Sequence, residues 1–490
     1  MTSEQKIEVR GQKSAIRDRN EEHRPLTINH AFFPMNTSDN ARLLEQLDSF
    51  DLEQRRQALQ ALGACCGASL PTPIERVNMH LHSFFSYNTK GYSPSHIAWE
   101  ARRQGLYAAG LCDFDVLDGL EEFLAAGLAL GLRATVNLET RAFFRDYAQV
   151  DINSPGEPGV TYIMGAGFAR SPKPGSRAAA TLLQYRLQAG ERNRSLVKRI
   201  NAHLPEIALD YNADVLPLSP GACPTERHIV CAYRGKANAA FKTSAALYEF
   251  WAKLMKVRPA DVETWNKKIP VMEDKIRAVL AKSGGIGYER PTKKTFPPVD
   301  EFVAWVRDCQ ALPMATWLDG TSRGEADATA MMECLRERGV CALNIIPDRN
   351  HRIADAALRA VKLQKLAEVV AVADKLQFPV NIGTEMNKDG QPFVDDTGGE
   401  ALRPYHAAFL RGARIMVGQT LLARYADFSY VGAAAQSEFG NNARQKNDFF
   451  EDVGKLPPLT TALADKLSAL GPDKCLACLR DSARRSSWVV

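Results

Sequence analysis

Asn78-Met79-His80-Leu81-His82-Ser83 closes a short apolar run that begins near Arg76. Successive side chains on a strand point to opposite faces, so His80 and His82 project the same way from the strand's end. Two imidazoles in that relation make half a metal site. Neutral imidazole binds Zn, Mn or Fe, and on a barrel strand both donors stand over the central opening. A His-x-His can also simply mark where a strand stops, so the segments downstream decide the reading.

Downstream the chain alternates between β-branched or apolar runs and helix-like stretches. Strands are predicted over 76–82, 108–115, 133–140, 160–166, 312–319, 341–347 and 378–385. Helices are predicted over 95–104, 117–130, 325–338 and 354–375, with Gly105, Gly131 and Gly339 as turn signals. Alternating β and α units argue for a parallel sheet, and this many of them for closure into a barrel. Barrel enzymes work at the C-terminal strand ends.

One long interval interrupts the alternation. Residues 171–310 hold helix-like segments at 178–203, 239–256 and 259–282 and a Pro-rich loop at 291–298. A structureless connection of that length is improbable, so the interval reads as a helical insertion covering the barrel mouth. The expected organisation is a polar N-terminus and helical lead-in (1–75), a first half-barrel (76–170), the insertion (171–310), a second half-barrel (311–400) and a helical C-terminal extension (401–490). Helices are expected there at 405–425 and 458–470, then a polar tail at 480–487.

The strand ends carry further ligand-type residues. The second reads Cys112-Asp113-Phe114-Asp115, and Asp113 and Asp115 are in phase, so one of them can face the opening as an oxygen ligand or a base. The third reads Asn137-Leu138-Glu139. In the last, Gly383-Thr384-Glu385-Met386-Asn387, Glu385 and Asn387 repeat the spacing of His80 and His82.

In this order the motifs resemble the polymerase and histidinol phosphatase (PHP) family. The correspondence runs through Met79-His80-Leu81-His82-Ser83, Gly110 to Asp115 with Asp118-Gly119, Asn137-Leu138-Glu139, and Thr225-Glu226-Arg227-His228-Ile229, which looks like the family's insertion motif. The resemblance spans about residues 76–390 and is most specific from His80 to Glu139. It implies a distorted (β/α)7 barrel, up to three metal ions at the C-terminal strand ends, and mostly phosphoesterase activity. Phe114, Tyr162 and Thr316 stand where the family has histidines, and the closing Asp-x-His is replaced by Glu385-Met386-Asn387. Fewer imidazoles shift preference toward harder ions.

The resulting expectation is one or two divalent ions, Zn, Mn or Fe, held by His80, His82 and Glu139 with Glu385, Asn387 and Asp113 as further candidates. Asp113 would accept a proton from metal-activated water, Tyr162 would act as acid or as hydrogen-bond donor, and Arg227 and His228 would reach the substrate. Arg141, Arg349 and Asn350, all near strand ends, are the remaining substrate-side candidates. A guanidinium recognises phosphate or carboxylate by geometry as well as charge.

Composition sets the frame. Of 490 residues, 45% are hydrophobic and 24% charged, as in ordinary soluble globular proteins. Lys plus Arg exceed Asp plus Glu by 62 to 57, too little to argue for nucleic acid. No signal peptide or membrane span is legible, and several of the ten scattered cysteines, such as Cys112 and Cys341, read as reduced core residues. The expectation is a cytoplasmic metal-dependent hydrolase, a phosphoesterase acting on a small anionic substrate, with no membrane partner and room for a homo-oligomer. The alternatives are a metal-depleted barrel that binds or regulates, or a metal-dependent isomerase, lyase or amidohydrolase.

Overall fold

The computed structural model describes residues 37–490; of the polar N-terminus expected over the first 40 or so residues, 1–36 lie outside the described residues. Seven strands, β1 (Ile74–Leu81), β2 (Leu106–Phe114), β3 (Arg133–Phe143), β4 (Val160–Ala166), β5 (Leu312–Trp317), β6 (Ala342–Ile345) and β7 (Val380–Ile382), form one sheet in chain order. The sheet curls until Glu385, beyond β7, meets β1. Its N–H donates to His80 O at 2.8 Å, and its carbonyl accepts from His82 N at 2.9 Å. The result is a nearly closed α/β barrel.

The close approach of β1 to its neighbours on either side depends on two glycines, Gly110 on β2 and Gly383 after β7. Between β1 and β2 the register advances three residues against two, from Asn78↔Ala109 to Leu81↔Leu111. Such an irregularity re-aims the side chains beside it. A Cβ on Gly110 would sit 2.6 Å from Met79 O, and one on Gly383 would sit 2.3 Å from His80 Cβ. The backbone of His80 is therefore flanked closely from both sides.

The expected all-parallel sheet is not what forms: β4 runs antiparallel to both β3 and β5. A parallel neighbour needs a crossover, usually helical. Between β3 and β4 the chain has only the 3-10 turn Arg145–Tyr147, and it returns directly, with Phe144 N donating to Gly159 O at 2.7 Å. The first residues of β4, rather than its last, therefore lie at the mouth. Tyr162 is opposite Arg141 there.

The insertion contains the helices Arg177–His203, Glu226–Ala240, Ser244–Met255, Pro259–Asn266 and Ile269–Leu280. They enclose their own apolar core around Ile200, Tyr233, Trp251 and Ile276. The helix expected over 239–256 begins only at Ser244, where Thr243 caps it, its Oγ1 accepting from Ala246 N at 3.2 Å, and the one expected over 259–282 is two, Pro259–Asn266 and Ile269–Leu280. The C-terminal part holds more helix than expected. Residues 480–487, expected as a tail, largely belong to the helix Pro472–Arg485, which has proline in its first turn and buries Cys475, Leu479 and Ser482.

The barrel floor is closed by the helix His406–Ala426. Its Arg414 donates to Glu75 at 3.0 Å, at the start of β1, and Gly412 lies against Val380 at the start of β7. Among the described residues no helix is long and apolar enough to cross a membrane.

Candidate metal centre

At the mouth, β1 and β3 bring three donors together. His80 Nε2 is 3.5 Å from Glu139 Oε2, and His82 Nε2 is 3.6 Å from the same oxygen. All three atoms are buried, and none has a hydrogen-bond partner. Burying polar atoms bare costs free energy unless something satisfies them. Donors about 2.0–2.1 Å from a tetrahedral ion lie roughly 3.3 Å apart, close to what is seen. The residues present fit a divalent ion such as Zn, Mn or Fe; among the described residues no other group of three such donors converges.

Neighbouring side chains hold the rings. Asp113 does not join the three donors: it precedes Phe114 on β2, and alternation turns it to the opposite face. There it accepts from Ser83 N at 2.8 Å, Ser83 Oγ at 2.7 Å and Ser86 Oγ at 2.6 Å. Burial raises its pKa to about 6 against the pull of those donors. Because Ser86 donates to Asp113, it is free to accept from His82 Nδ1, 3.2 Å away, which leaves Nε2 with its lone pair toward Glu139. Phe114, on the inner face, stacks on His82 at 4.9 Å. Asp113→Asn should lower metal affinity about 10–100-fold, since outer partners of ligating histidines carry that much. Competition against a chelator measures it; unchanged affinity would show that the chain Asp113–Ser86–His82 does not orient the ring.

Burial disfavours a charge on His80, yet Cys112 and Glu139 outweigh it and hold its pKa well above the ordinary value. His82 is held well below it, by burial and by the charge on His80. An ion binding here must displace the proton on His80. Binding near pH 7 should therefore release about one proton, and affinity should rise with pH while His80 remains protonated. Calorimetry in two buffers of different ionisation enthalpy reads this directly, and zero release would mean His80 is neutral beforehand.

Glu385 and Asn387 stand apart from the three donors. The strand stops at Ile382, and Glu385 and Met386 take left-handed backbone angles, φ 63° and 59°, so the i, i+2 alternation expected of them is broken. Glu385 Oε2 accepts from Gln391 Nε2 at 3.2 Å and faces Arg349 Nη2 at 3.8 Å.

Above the donors opens a cavity of about 840 Å³. Glu385, Asn387, Tyr162, Arg141, Arg227 and Arg349 all line it. Arg141 donates to Glu157 at 3.1 Å and lies over Phe296 at 4.4 Å. Burial raises the Tyr162 hydroxyl pKa, with Arg141 opposing. Arg227 pairs with Asp274 at 2.5 Å.

Two substrate-side candidates do not reach the cavity. Asn350 is buried and donates to Leu318 O and Ile346 O, at 3.1 and 3.0 Å, tying two loops. His228 Nδ1 accepts from Thr225 N at 3.0 Å as a helix cap, and burial lowers its pKa to about 4. The Thr225–Ile229 motif is thus the start of a helix, and Arg227 is the part of it that lines the cavity.

Three basic residues that the sequence did not single out complete the wall, together with Asp115, the member of the Asp113/Asp115 pair that does face the opening. Arg192, Arg277 and Lys282 come from the insertion, and Asp115 from the end of β2. Asp115 is turned inward by a φ of 58° and lies 3.6 Å from Arg192. Burial opposes charge on Glu226, but Arg277 and Lys282 outweigh it and bring its pKa to about 2. Basic residues on a helix read as solvated surface charges, so no local signal marked these three.

No protein-family model matches the chain, and no curated protein matches it. Among solved structures the chain is similar to a candidate metal-dependent phosphoesterase from Bifidobacterium adolescentis, at 17% identity and TM-score 0.43, over 69% of this chain and 98% of that one. It is also similar to an amidohydrolase from Chromobacterium violaceum with bound sulfate and no metal, at 15% identity and TM-score 0.46, over 69% of this chain and 96% of that one. Likeness at this level carries no argument about activity, which must come from the site.

Proposed function

We propose that the chain is a metal-dependent hydrolase of the PHP type that cleaves phosphate esters of small anionic molecules. The observation that carries the reading is the convergence of three bare, buried atoms, His80 Nε2, His82 Nε2 and Glu139 Oε2, beneath a cavity lined by Arg and Lys side chains and the carboxylates that pair with them. A divalent ion held there supplies Lewis-acid activation of water and of the phosphoryl oxygen. Arg141 and Tyr162, opposite one another on β3 and β4, offer a guanidinium for the phosphoryl oxygens and a neutral hydroxyl, kept protonated by burial, for the leaving oxygen. Arg277 and Lys282 share the single carboxylate of Glu226, and the one positive charge left over favours anionic over neutral substrates.

The test is release of inorganic phosphate from a panel of phosphomonoesters by protein loaded with Zn, Mn or Fe, beside His80→Ala protein. Release by the wild type, lost in the variant, supports the reading. Bound ion without phosphate release would sink it: cleavage of amides instead would identify an amidohydrolase, and no turnover at all a binding module.

A further inference from the structure

The segment that follows β7 and the turn after β6 contribute a second buried pair. Asp395 is 1% exposed, and both its carboxylate oxygens are buried without a hydrogen-bond partner. His351, at the end of the short helix Asp348–His351 after β6, aims a buried and unpartnered Nε2 at Asp395 Oδ1, 3.9 Å away. That separation is too long for a hydrogen bond and short enough for one atom to bridge. A carboxylate left bare in the interior costs several kcal/mol, and the chain avoids this elsewhere. Asp113 has three donors, and Glu325 accepts backbone N–H groups of Leu318, Asp319 and Gly320 at 2.8, 3.0 and 2.9 Å. Among the described residues, buried carboxylate oxygens without a partner occur on Glu139, in the metal centre, and on Asp395.

We infer that His351 and Asp395 hold a second divalent cation. One imidazole nitrogen and the two carboxylate oxygens are donors that Zn or Mn accepts, water would complete the ion's shell, and neutralising the carboxylate removes the penalty of its burial. The ion ties the segment after β7 to the turn after β6. Those two stretches also carry Glu385 and Arg349, which face each other across 3.8 Å at the cavity wall. The segment is anchored on its other side by Asn78, whose Nδ2 donates to Phe393 O at 2.7 Å. The site is independent of the hydrolase reading, because it shares no residue with the three-donor centre.

The experiment counts bound Mn, an ion that thiols bind poorly, by the loss of free-ion resonance signal on titrating the full chain. Wild type should take up two equivalents, Glu139→Gln one, Asp395→Asn one, and the double variant Glu139→Gln/Asp395→Asn none. His351→Gln should match Asp395→Asn, and it serves as the test if Asp395→Asn fails to give a cooperative thermal transition. Wild type saturating at one equivalent, or both variants at the second pair retaining two, would overturn the inference and leave a direct or water-bridged His351–Asp395 ion pair only.

Discussion

Glu139→Gln protein will lose one tightly bound equivalent of divalent ion and, with it, at least about 10³-fold in hydrolysis, comparable to removing a principal charge-stabilising group from an active site. Glu139 Oε2 is the point common to both imidazoles, 3.5 and 3.6 Å from their Nε2 atoms, so its loss removes the one anionic donor of the three. The amide keeps the volume and can donate to an imidazole lone pair. The fold therefore survives while the ion does not. At an ion concentration 1,000-fold above Kd, the stabilisation lost with the carboxylate is about 4 kcal/mol, read as a shift in the denaturation midpoint with and without the ion. A Glu139→Gln variant that keeps its ion count and its turnover would show that the three atoms do not share an ion.

Gly454→Ala is expected to destabilise the chain by about 2–4 kcal/mol net, although alanine is the better helix former by about 1 kcal/mol. A Cβ there would sit 1.8 Å from Arg414 O, and one on Gly418 would sit 1.9 Å from Phe450 O. Both obstacles are backbone, so the helices Ala443–Gly454 and His406–Ala426 would have to separate, opening gaps around Phe450, Val453 and Met416 in a fully buried seam. The clash outweighs the propensity gain. The displaced helix is also the barrel floor, where a Cβ on Gly412 would sit 2.0 Å from Val380 O. Urea denaturation measures the loss; a change below about 1 kcal/mol would show that the two helices slide apart freely.

Much of this was legible along the chain. All seven strands were, because apolar and β-branched runs between turn residues are local signals, and the period of two ties His80 to His82 without reference to anything distant. Alternation also holds the reason that Asp113 turns away, since it and Phe114 are adjacent and cannot face the same way. The orientation of β4 was less accessible. It follows from the absence of a crossover helix between Phe143 and Val160, a signal that the regular rhythm of the other units obscured. Glu385 and Asn387 could not be placed by counting, because the backbone leaves extended geometry at Glu385.

The amino-acid sequence by itself determined the strand set, the rung carrying the two imidazoles, and a carboxylate two strands on, since each is written in the periodicity of a few neighbouring residues. Only the tertiary structure decided which groups meet: Tyr162 beside Arg141 through a reversed strand, Arg192, Arg277 and Lys282 brought over the mouth by the insertion, and His351 set against Asp395. Those pairings depend on chain closures across tens to hundreds of residues. Their geometry comes from packing and backbone hydrogen bonds summed over the whole barrel, which no local pattern encodes.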